Sequence, residues 1–486
     1  MSAFLGIDLG TTNCAISYIN VSGRPEIILN KFGDNMTPSC LLFEGNKVSH
    51  VGKEARIQLG LNDHVVARWK REMGSQEQYI IDGHAHTPTT LSAELLKKIF
   101  ENATDKLGDI SDVVITVPAV FPHDARDATK EAAKLANINL TRIIDEPTAA
   151  ALYHAMDNDW QLNGNFAVYD LGGGTFDISI VKINGRDVKV IATNGNSKLG
   201  GDDFDQILQE IVRKKYLDMT GEELEEEDFT KTEAEDQKKS LSTRDVIIRV
   251  IKSNVSVSQE EFQEAIRSKI KSTETVCRKV IKEAGLEIND IENVIFVGGS
   301  TRLPSVYDLA KKIFNKEPII TAQVDEAVAL GASAYAIIKG DQSKLNAAQK
   351  SVFEKIKVQD VTPAFFGFIC TALDQKRGKD VDRVAIIIPK NINRPCAETH
   401  DFYTRYDNQT EVGCVVTSSS NETDDPNFVT NIWEGSLGPL PEGRPKNQKI
   451  KVTFKFDVDG IMHASFLDVA SGIHKDIPLS NIEENV

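Results

Sequence analysis

With 486 residues, the chain is too long for a single hydrophobic core, and its length predicts roughly two to four domains. Hydrophobic residues make up 41% of the chain and charged residues 26%, as in ordinary soluble globular proteins. The net charge of −16 argues against nucleic acid or an anionic membrane surface as a general partner.

Cysteine usage and the N-terminus predict the compartment. The six cysteines have neither CxxC nor zinc-site spacing, which fits a reducing environment better than a disulfide framework. The N-terminus enters a predicted strand without a basic, apolar leader, and no run approaches the roughly 20 apolar residues that span a bilayer. We therefore expect a cytoplasmic protein without a membrane partner.

A glycine-rich turn occurs twice. Asp8 to Thr12 follows the apolar strand Phe4 to Ile7, and Asp170 to Thr175 follows the apolar strand Phe166 to Tyr169. Glycines let backbone N–H groups approach phosphate oxygens, and threonines add hydroxyl donors. One such turn is more often structural, but the matched pair predicts two lobes that close on one polyphosphate.

Helices and strands alternate up to about Lys339. A stripe of leucines and isoleucines from Leu91 to Phe100 predicts a helix that ends near Gly108, and the run Val113 to Val117 predicts a buried strand. The acidic stretch from Gly221 to Asp236 is typical of a solvated helix face or loop. These patterns predict an α/β domain.

After about Asp360, the hydrophobic period changes to two. Apolar residues alternate with polar ones from Lys449 to Phe456, and Asp459-Gly460 turns the chain into a second strand, Ile461 to Leu467. Turn-rich runs separate further short strands. The last third is predicted to be an all-β sandwich.

Nine motifs follow one another along the chain: Gly6 to Asn13, Thr37 to Ser39, Lys70-Arg71, Val117 to Ala119, Glu146 to Ala151, Asp170 to Asp177, Gly200 to Asp205, Gly298 to Pro304 and Asp325 to Ala329. Together with Asp360 to Pro363, this series resembles the DnaK-type 70-kDa heat-shock chaperones, the Hsp70 family, over nearly the whole chain. The phosphate-binding turns alone also fit the wider superfamily of actin, sugar kinases and chaperones.

The resemblance implies an actin-like, duplicated ribonuclease H-like ATPase domain at 1–354 and a linker at 355–361. A β-sandwich that binds peptides would follow at 362–478, and a short tail at 479–486 would leave the helical lid absent. Residues Lys70 to Ser75 and the missing lid resemble the lid-poor bacterial HscC-like branch. A truncated chain would have the same sequence, so both explanations stay open.

The implied activity is that of a heat-shock chaperone with weak ATP hydrolysis, which binds extended apolar segments of unfolded client polypeptides. A J-domain cochaperone and a nucleotide exchange factor are the implied partners. An alternative is an ATP-binding interaction module with little or no turnover. A metabolic kinase or an actin-like filament protein would leave the C-terminal β module unexplained.

The resemblance also implies the nucleotide site. ATP or ADP would bind with Mg²⁺ organised by Asp8 and Asp170, and K⁺ is an additional candidate ion. Lys239 stands where the family usually has arginine, so we expect weaker stacking on adenine. The implied nucleotide contacts are Thr11, Thr12, Asn13, Gly172, Gly173, Gly174, Gly200, Gly201, Glu235, Lys238, Lys239, Ser242, Gly298, Gly299, Ser300, Arg302 and Asp325.

Four residues are candidates for hydrolysis. Attack of water on a γ-phosphate is assisted mainly by positioning and by cations near the developing charge. Lys70 would supply the cation, while Glu146, Asp170 and Thr175 would orient the water or take up its proton.

The remaining implied sites concern peptide binding and its control. The peptide cleft would be lined by Phe368, Phe402, Val412, Cys414 and Ile450. Thr371 and Arg405 replace apolar or small residues that arch over the peptide in the family, so either the arch is open or Arg405 favours acidic flanks. The coupling residues would be Arg142, Asp145, Pro118, Arg126, Val358 and Asp360. Asp145 replaces the usual asparagine, which leaves the identity of the J-domain partner open. The linker alternates Ile356 and Val358 with Lys357 and Gln359, so we expect weaker docking and softened coupling.

Overall fold

The computed structural model describes residues 3–251, 253–321, 323–374 and 378–478. They form two units: Met1–Phe121 with Ala128–Val358, and Pro122–Asp127 with Gln359–Val486. The predicted tail at 479–486 lies outside the described residues.

The first unit contains two lobes, each built on its own sheet. The elements of the first lobe come first in the chain: β1 (Ala3–Leu9), β2 (Asn13–Ile19), β3 (Pro25–Ile27), β4 (Met36–Pro38), β5 (Cys40–Glu44), β6 (Lys47–Val51), α1 (Lys53–Arg56), β7 (Val65–Ala67), a 3-10 turn (Trp69–Glu72), β8 (Tyr79–Ile81), β9 (His84–His86), α2 (Pro88–Leu107), β10 (Ile110–Val117), α3 (His123–Leu135), β11 (Leu140–Asp145) and α4 (Glu146–Asp157).

The second lobe and the segments after it follow: β12 (Asn163–Leu171), β13 (Phe176–Asn184), β14 (Asp187–Asn196), α5 (Gly201–Thr220), α6 (Lys231–Leu241), β15 (Val246–Val250), β16 (Ser253–Val257), α7 (Gln259–Glu283), a 3-10 turn (Ile288–Asp290), β17 (Ile291–Val297), a 3-10 turn (Gly299–Arg302), α8 (Pro304–Phe314), α9 (Ala327–Lys339), a 3-10 turn (Gln342–Lys344), α10 (Ala347–Phe353) and β18 (Lys357–Gln359).

The two lobe sheets share a core of four strands in the same order, β10-β1-β2-β3 in the first and β17-β12-β13-β14 in the second. The first sheet continues with β11 beside β10 and includes β4, which pairs with β2, whereas the second continues with β18 beside β14. In each, the strand before the glycine-rich turn pairs in parallel with one neighbour and antiparallel with the strand after the turn. This repetition accounts for the two turns that the sequence repeats.

Small residues allow α4 and α9 to cross closely. A Cβ added at Gly331 of α9 would lie 1.8 Å from the Ala149 carbonyl oxygen of α4, and one added at Gly6 would lie 2.1 Å from the Ser333 nitrogen. Ser17 Oγ also donates to the Ala329 carbonyl at 2.6 Å. Helix α9 follows the second lobe in sequence yet packs on β1 and β2 of the first, so the chain returns to the first lobe after completing the second.

Each lobe has its own hydrophobic core. In the first lobe, Leu91, Leu95 and Leu96 of α2 are buried against the sheet. Thr87 caps this helix by accepting from the Thr90 N–H at 3.2 Å, and Gly108 ends it at φ 76°. The helix stripe and the strand that the sequence predicts here are therefore confirmed.

The second unit contains two antiparallel four-stranded sheets, with orders β20-β19-β22-β23 and β21-β24-β25-β26. Their inner faces share a core that includes Phe368, Val452 and Phe466. The predicted hairpin is confirmed, since β24 pairs antiparallel with β25. The strands are β19 (Phe365–Asp374), β20 (Lys379–Ile388), β21 (Cys396–Tyr403), β22 (Val412–Ser419), β23 (Thr430–Leu437), β24 (Lys449–Phe456), β25 (Met462–Asp468) and β26 (His474–Pro478), with a 3-10 turn at Pro426–Phe428.

Candidate functional site

The two glycine-rich turns face each other. The first joins β1 to β2 and the second joins β12 to β13. A Cβ added at Gly173 would lie 2.4 Å from Thr12 Cγ2, and one added at Gly174 would lie 2.7 Å from Thr11 Oγ1. Only glycine lets the turns approach this closely, so both lobes contribute to one site.

A cavity of about 510 Å³ opens between the turns, within the range of small-molecule sites. Its lining combines carboxylates and lysines with backbone amides from the turns. Among the predicted nucleotide, metal and catalytic residues, it brings together Asp8, Thr11, Thr12, Asn13, Lys70, Glu146, Asp170, Gly172, Gly173, Gly174, Thr175, Glu235, Lys238, Lys239, Ser242, Gly298, Gly299, Ser300, Arg302 and Asp325.

The predicted Gly200 and Gly201 lie at the start of α5, which hydrogen-bonds to the second glycine-rich turn. The N–H of Gly201, at the start of α5, donates to the Gly172 carbonyl at 3.0 Å, and the next N–H donates to the Gly173 carbonyl at 2.8 Å. Ser300 Oγ donates to the same Gly172 carbonyl at 2.9 Å. The Gly172 and Gly173 carbonyls are thereby hydrogen-bonded within the protein.

Lys70 and Glu146 form a buried ion pair at the base of the cavity, with Nζ 2.7 Å from Oε1. Burial alone would lower the pKa of Lys70, but the nearby carboxylates of Glu146 and Asp8 raise it above its ordinary value. Lys70 is therefore cationic at neutral pH. Trp69, which precedes Lys70 in the 3-10 turn, is held in place because its Nε1–H donates to Ser92 Oγ at 2.9 Å.

Three buried aspartates surround this pair and resist ionisation. Burial, followed by repulsion from Glu146, raises the pKa of Asp8 to about 7 and holds that of Asp170 well above its ordinary value. Burial and the same repulsion raise the pKa of Asp177 to about 8. A divalent cation would relieve this repulsion. Among the described residues, no three His, Cys, Asp or Glu side chains form a metal-ligand cluster.

Three arginines reach from the first lobe to acidic groups of the second. Arg56 pairs with Glu235 at 3.3 Å, Arg68 pairs with Asp202 at 2.7 Å, and Arg71 pairs with Asp203 at 2.8 Å. Sequence reasoning missed the first two arginines, because their partners lie more than a hundred positions away. The only local signal was Arg71 beside Lys70.

Ion pairs also order the far end of the cavity. Burial alone would raise the pKa of Glu235, but Lys239, Arg56 and Lys238 lower it to about 2. The Lys239 Nζ lies 2.6 Å from Glu235 Oε1, and Arg302 pairs with Asp325 at 2.7 Å. Lys239, which replaces the arginine usual in the family, is therefore engaged with Glu235.

Comparison with known proteins identifies the family. The sequence profile described as Hsp70 protein matches residues 4–81 and 75–485. The chain is 36% identical to the chaperone protein DnaK of Thermotoga neapolitana, over 96% of this chain and 78% of that protein. It is 35% identical to DnaK of Thermosipho melanesiensis, over 98% of this chain and 80% of that protein. The chain belongs to the Hsp70 family.

The two parts expected of an Hsp70 chain, an α/β unit with a duplicated sheet and a β-sandwich, are both present in the structure. Within its described residues, no helix is long and apolar enough to cross a bilayer. All six cysteines are free. The comparisons do not distinguish the HscC-like branch from the rest of the family.

The predicted peptide residues of this Hsp70 chain lie in the sandwich. Phe368, Cys414 and Ile450 are buried in its core, while Phe402 and Val412 are half-buried against it. The rings of Phe368 and Phe402 are 4.8 Å apart. These positions serve the sandwich core, and their role toward a peptide stays a prediction.

The two predicted arch residues have internal partners. Arg405 is ion-paired with Asp380 of β20, and Thr371 Oγ1 donates to Asp382 Oδ1 at 2.9 Å. Arg405 therefore has an acidic partner within the sandwich, and both an open arch and a preference of Arg405 for acidic flanks stay predictions.

The predicted coupling residues differ in exposure. In the first unit, Arg142 is exposed, whereas Pro118 and Asp145 are buried. In the second unit, Arg126 is buried, and Asp360 lies 3.6 Å from Arg394. Val358 is half-buried in β18, the edge strand of the second-lobe sheet. Part of the predicted linker, Lys357–Gln359, therefore forms an edge strand of this sheet.

Proposed function

We propose that this chain is an ATP-hydrolysing chaperone in which the cavity between the lobes binds Mg²⁺ and ATP or ADP. The observation that carries this proposal is the approach of the two glycine-rich turns across one cavity, with Thr11 and Thr12 on one side and Gly173 and Gly174 on the other. Backbone N–H groups from both lobes can then contact one polyphosphate.

The donor set fits a magnesium ion bound together with phosphate. Asp8 and Asp170 are buried carboxylates whose raised pKa values reflect unrelieved burial and repulsion. Thr116 Oγ1 orients Asp8 by donating to Oδ1 at 2.9 Å. When bound, Mg²⁺ would neutralise phosphate charge and orient the nucleotide. Asp8 and Asp170 would hold it through its waters.

Lys70 and Glu146 are proposed to act together in hydrolysis. A permanently charged ammonium in a water-poor cavity stabilises charge that develops on the transferring phosphoryl group. Glu146 holds this ammonium in place, and with Asp170 and Thr175 it would orient the attacking water. We expect slow turnover, as the sequence predicted, and this distinguishes the proposal from an interaction module that binds ATP without hydrolysing it.

The sandwich is proposed to bind extended apolar client segments at Phe368, Phe402, Val412, Cys414 and Ile450. An extended peptide gains affinity from main-chain hydrogen bonds and specificity from apolar pockets. The proposed domain boundaries are 1–354, 355–361 and 362–478. A J-domain cochaperone, an exchange factor and membership of a lid-poor branch remain parts of this proposal.

Single-turnover hydrolysis with Mg²⁺ tests the proposed ATP hydrolysis in the cavity. Lys70→Ala should slow the chemical step by roughly a hundredfold or more while ATP still binds. Lys98→Ala removes a lysine that is exposed on α2 and should have no effect. ATP that binds but is not hydrolysed by the unaltered chain, with or without a J-domain protein, would favour the interaction module instead.

Release of a fluorescent apolar peptide on addition of ATP tests the proposed coupling between nucleotide binding and peptide binding. Val358→Asp places a charge at a half-buried position of β18 and should reduce ATP-dependent release. Val469→Asp, at an exposed position after β25, is the matched control. Equal release by the unaltered chain and Val358→Asp would contradict coupling through the linker.

A further inference from the structure

Arg186 holds the chain segment that leads into the linker. It lies in the turn between β13 and β14, and its guanidinium donates to the Val352 carbonyl and, at 2.9 Å, to the Glu354 carbonyl. Its own carbonyl accepts the N–H of Lys357 at 2.9 Å. One residue therefore binds three backbone groups between the end of α10 and β18.

Trp160 orders the Arg186 side chain. The guanidinium carbon lies 5.4 Å from the centroid of the Trp160 ring, and both side chains are half-buried. The backbone of Trp160 is itself fixed, because its main-chain N–H donates to the Ala155 carbonyl at 2.8 Å. The N–H of Gly185 donates to the Leu162 carbonyl at 2.9 Å, which ties the two segments together. The planar guanidinium can lie against the indole ring while its N–H groups donate to both carbonyls.

Helix α10 is seated on the first lobe. Asn346 Nδ2 donates to the Val21 carbonyl at 3.0 Å, and Gln349 Nε2 donates to the Asn20 carbonyl at 3.1 Å. A Cβ added at Gly23 would lie 2.9 Å from Val352 Cγ2. The segment before the linker thus spans the β2–β3 turn of the first lobe and the β13–β14 turn of the second.

We propose that Arg186, ordered by Trp160, is a positioning residue that docks the linker strand. Its guanidinium binds the Val352 and Glu354 carbonyls, and its own carbonyl binds the N–H of Lys357 in β18. Because α10 is itself held on the β2–β3 turn, these contacts fix where the linker strand begins.

The contacts of Arg186 also account for the docking of a linker that alternates lysine with apolar residues. In β18, Lys357 is exposed and Val358 is half-buried, so apolar burial alone is small. The polar contacts of Arg186 add to it. The linker leads directly into the sandwich and extends the sheet that carries the Gly172 to Thr175 turn. Its meaning for client release rests on the proposed function.

Hydrogen exchange of the intact chain tests the proposal, measured nucleotide-free and with Mg²⁺ and ADP or ATP. In the nucleotide-free chain, Arg186→Ala should accelerate exchange of amides 354–359 by about tenfold, because two hydrogen bonds are lost. Trp160→Leu should accelerate it less. Arg249→Ala, at an exposed position on β15, should leave it unchanged.

Unchanged exchange of these amides in Arg186→Ala, in all three states, would overturn the proposal. If Arg186→Ala also accelerated exchange of β12 and β13, Arg186→Met would decide, since it keeps an extended apolar side chain but has no hydrogen-bond donor. Unchanged linker exchange in that variant would overturn the proposal as well. The nucleotide-free comparison requires neither hydrolysis nor client binding, so failure of the proposed function leaves its result interpretable.

Discussion

Replacing Lys70 with methionine tests the buried ion pair at the base of the cavity. Lys70 is 6% exposed and Glu146 is 8% exposed, so the substitution leaves a buried carboxylate near Asp8 and Asp170 without its cation. Removing one partner of a buried pair costs about 3–5 kcal/mol. At about 2 °C per kcal/mol, the first unit should unfold roughly 6–10 °C lower.

Calorimetry of the nucleotide-free chain at pH 7.5 would measure this change. Glu146→Gln in the same chain should recover most of the lost stability, because the amide needs no cation. Hydrolysis should remain reduced by about a hundredfold or more in both variants, since neither restores the ammonium.

The reasoning would be refuted if Lys70→Met unfolded at the same temperature as the unaltered chain. It would also be refuted if the double variant were no more stable than the single one, since the cost would then not arise from the unpaired Glu146 carboxylate.

Three further predictions follow from the cavity and its borders. Burial raises the pKa of Asp177 to about 8, so the folded chain retains a proton that the unfolded chain loses above 3.8, and stability falls as the pH rises toward 8. Asp177→Asn should therefore stabilise the nucleotide-free chain by at least about 1 kcal/mol more at pH 8.5 than at pH 5 in thermal unfolding; equal effects at both pH values would contradict this. Gly173→Ala should weaken ADP binding by about tenfold or more in calorimetric titration, because its Cβ would lie 2.4 Å from Thr12 Cγ2. Gly413→Ala, which meets no atom within 4 Å, is the control, and equal affinities would count against close approach of the turns. Arg56→Ala removes the pairs with Glu235 and Asp236 and should speed release of fluorescent ADP about two- to fivefold in stopped flow; an unchanged rate would exclude Arg56 from holding the lobes.

Local patterns in the sequence predicted the parts of the fold that depend on neighbouring residues. The strand and turn at Asp8 to Thr12, and the matching pair at Asp170 to Thr175, carry their own glycines and flanking apolar runs. The β24–β25 hairpin likewise combines alternation with a turn at Asp459-Gly460. Each of these signals is complete within about twenty residues.

Contacts between distant segments left no such signal. Nothing near Arg56 or Arg68 in sequence indicates a partner in the second lobe, and nothing near Arg186 indicates Trp160 or the end of α10. Alternation also cannot separate a core position from a ligand contact, which is why Phe368 and Ile450 fit both roles. The prediction of weak linker docking rests on the apolar residues of the linker alone. No local pattern in the sequence indicates the backbone contacts of Arg186.

A crystal structure of the intact chain with Mg²⁺ and ADP tests the central claim most directly. We predict both phosphate groups between the Thr11-Thr12 turn and the Gly172 to Thr175 turn, with the ion on the side of Asp8 and Asp170. Nucleotide bound outside this cavity, or contacting only one of the two turns, would contradict the account.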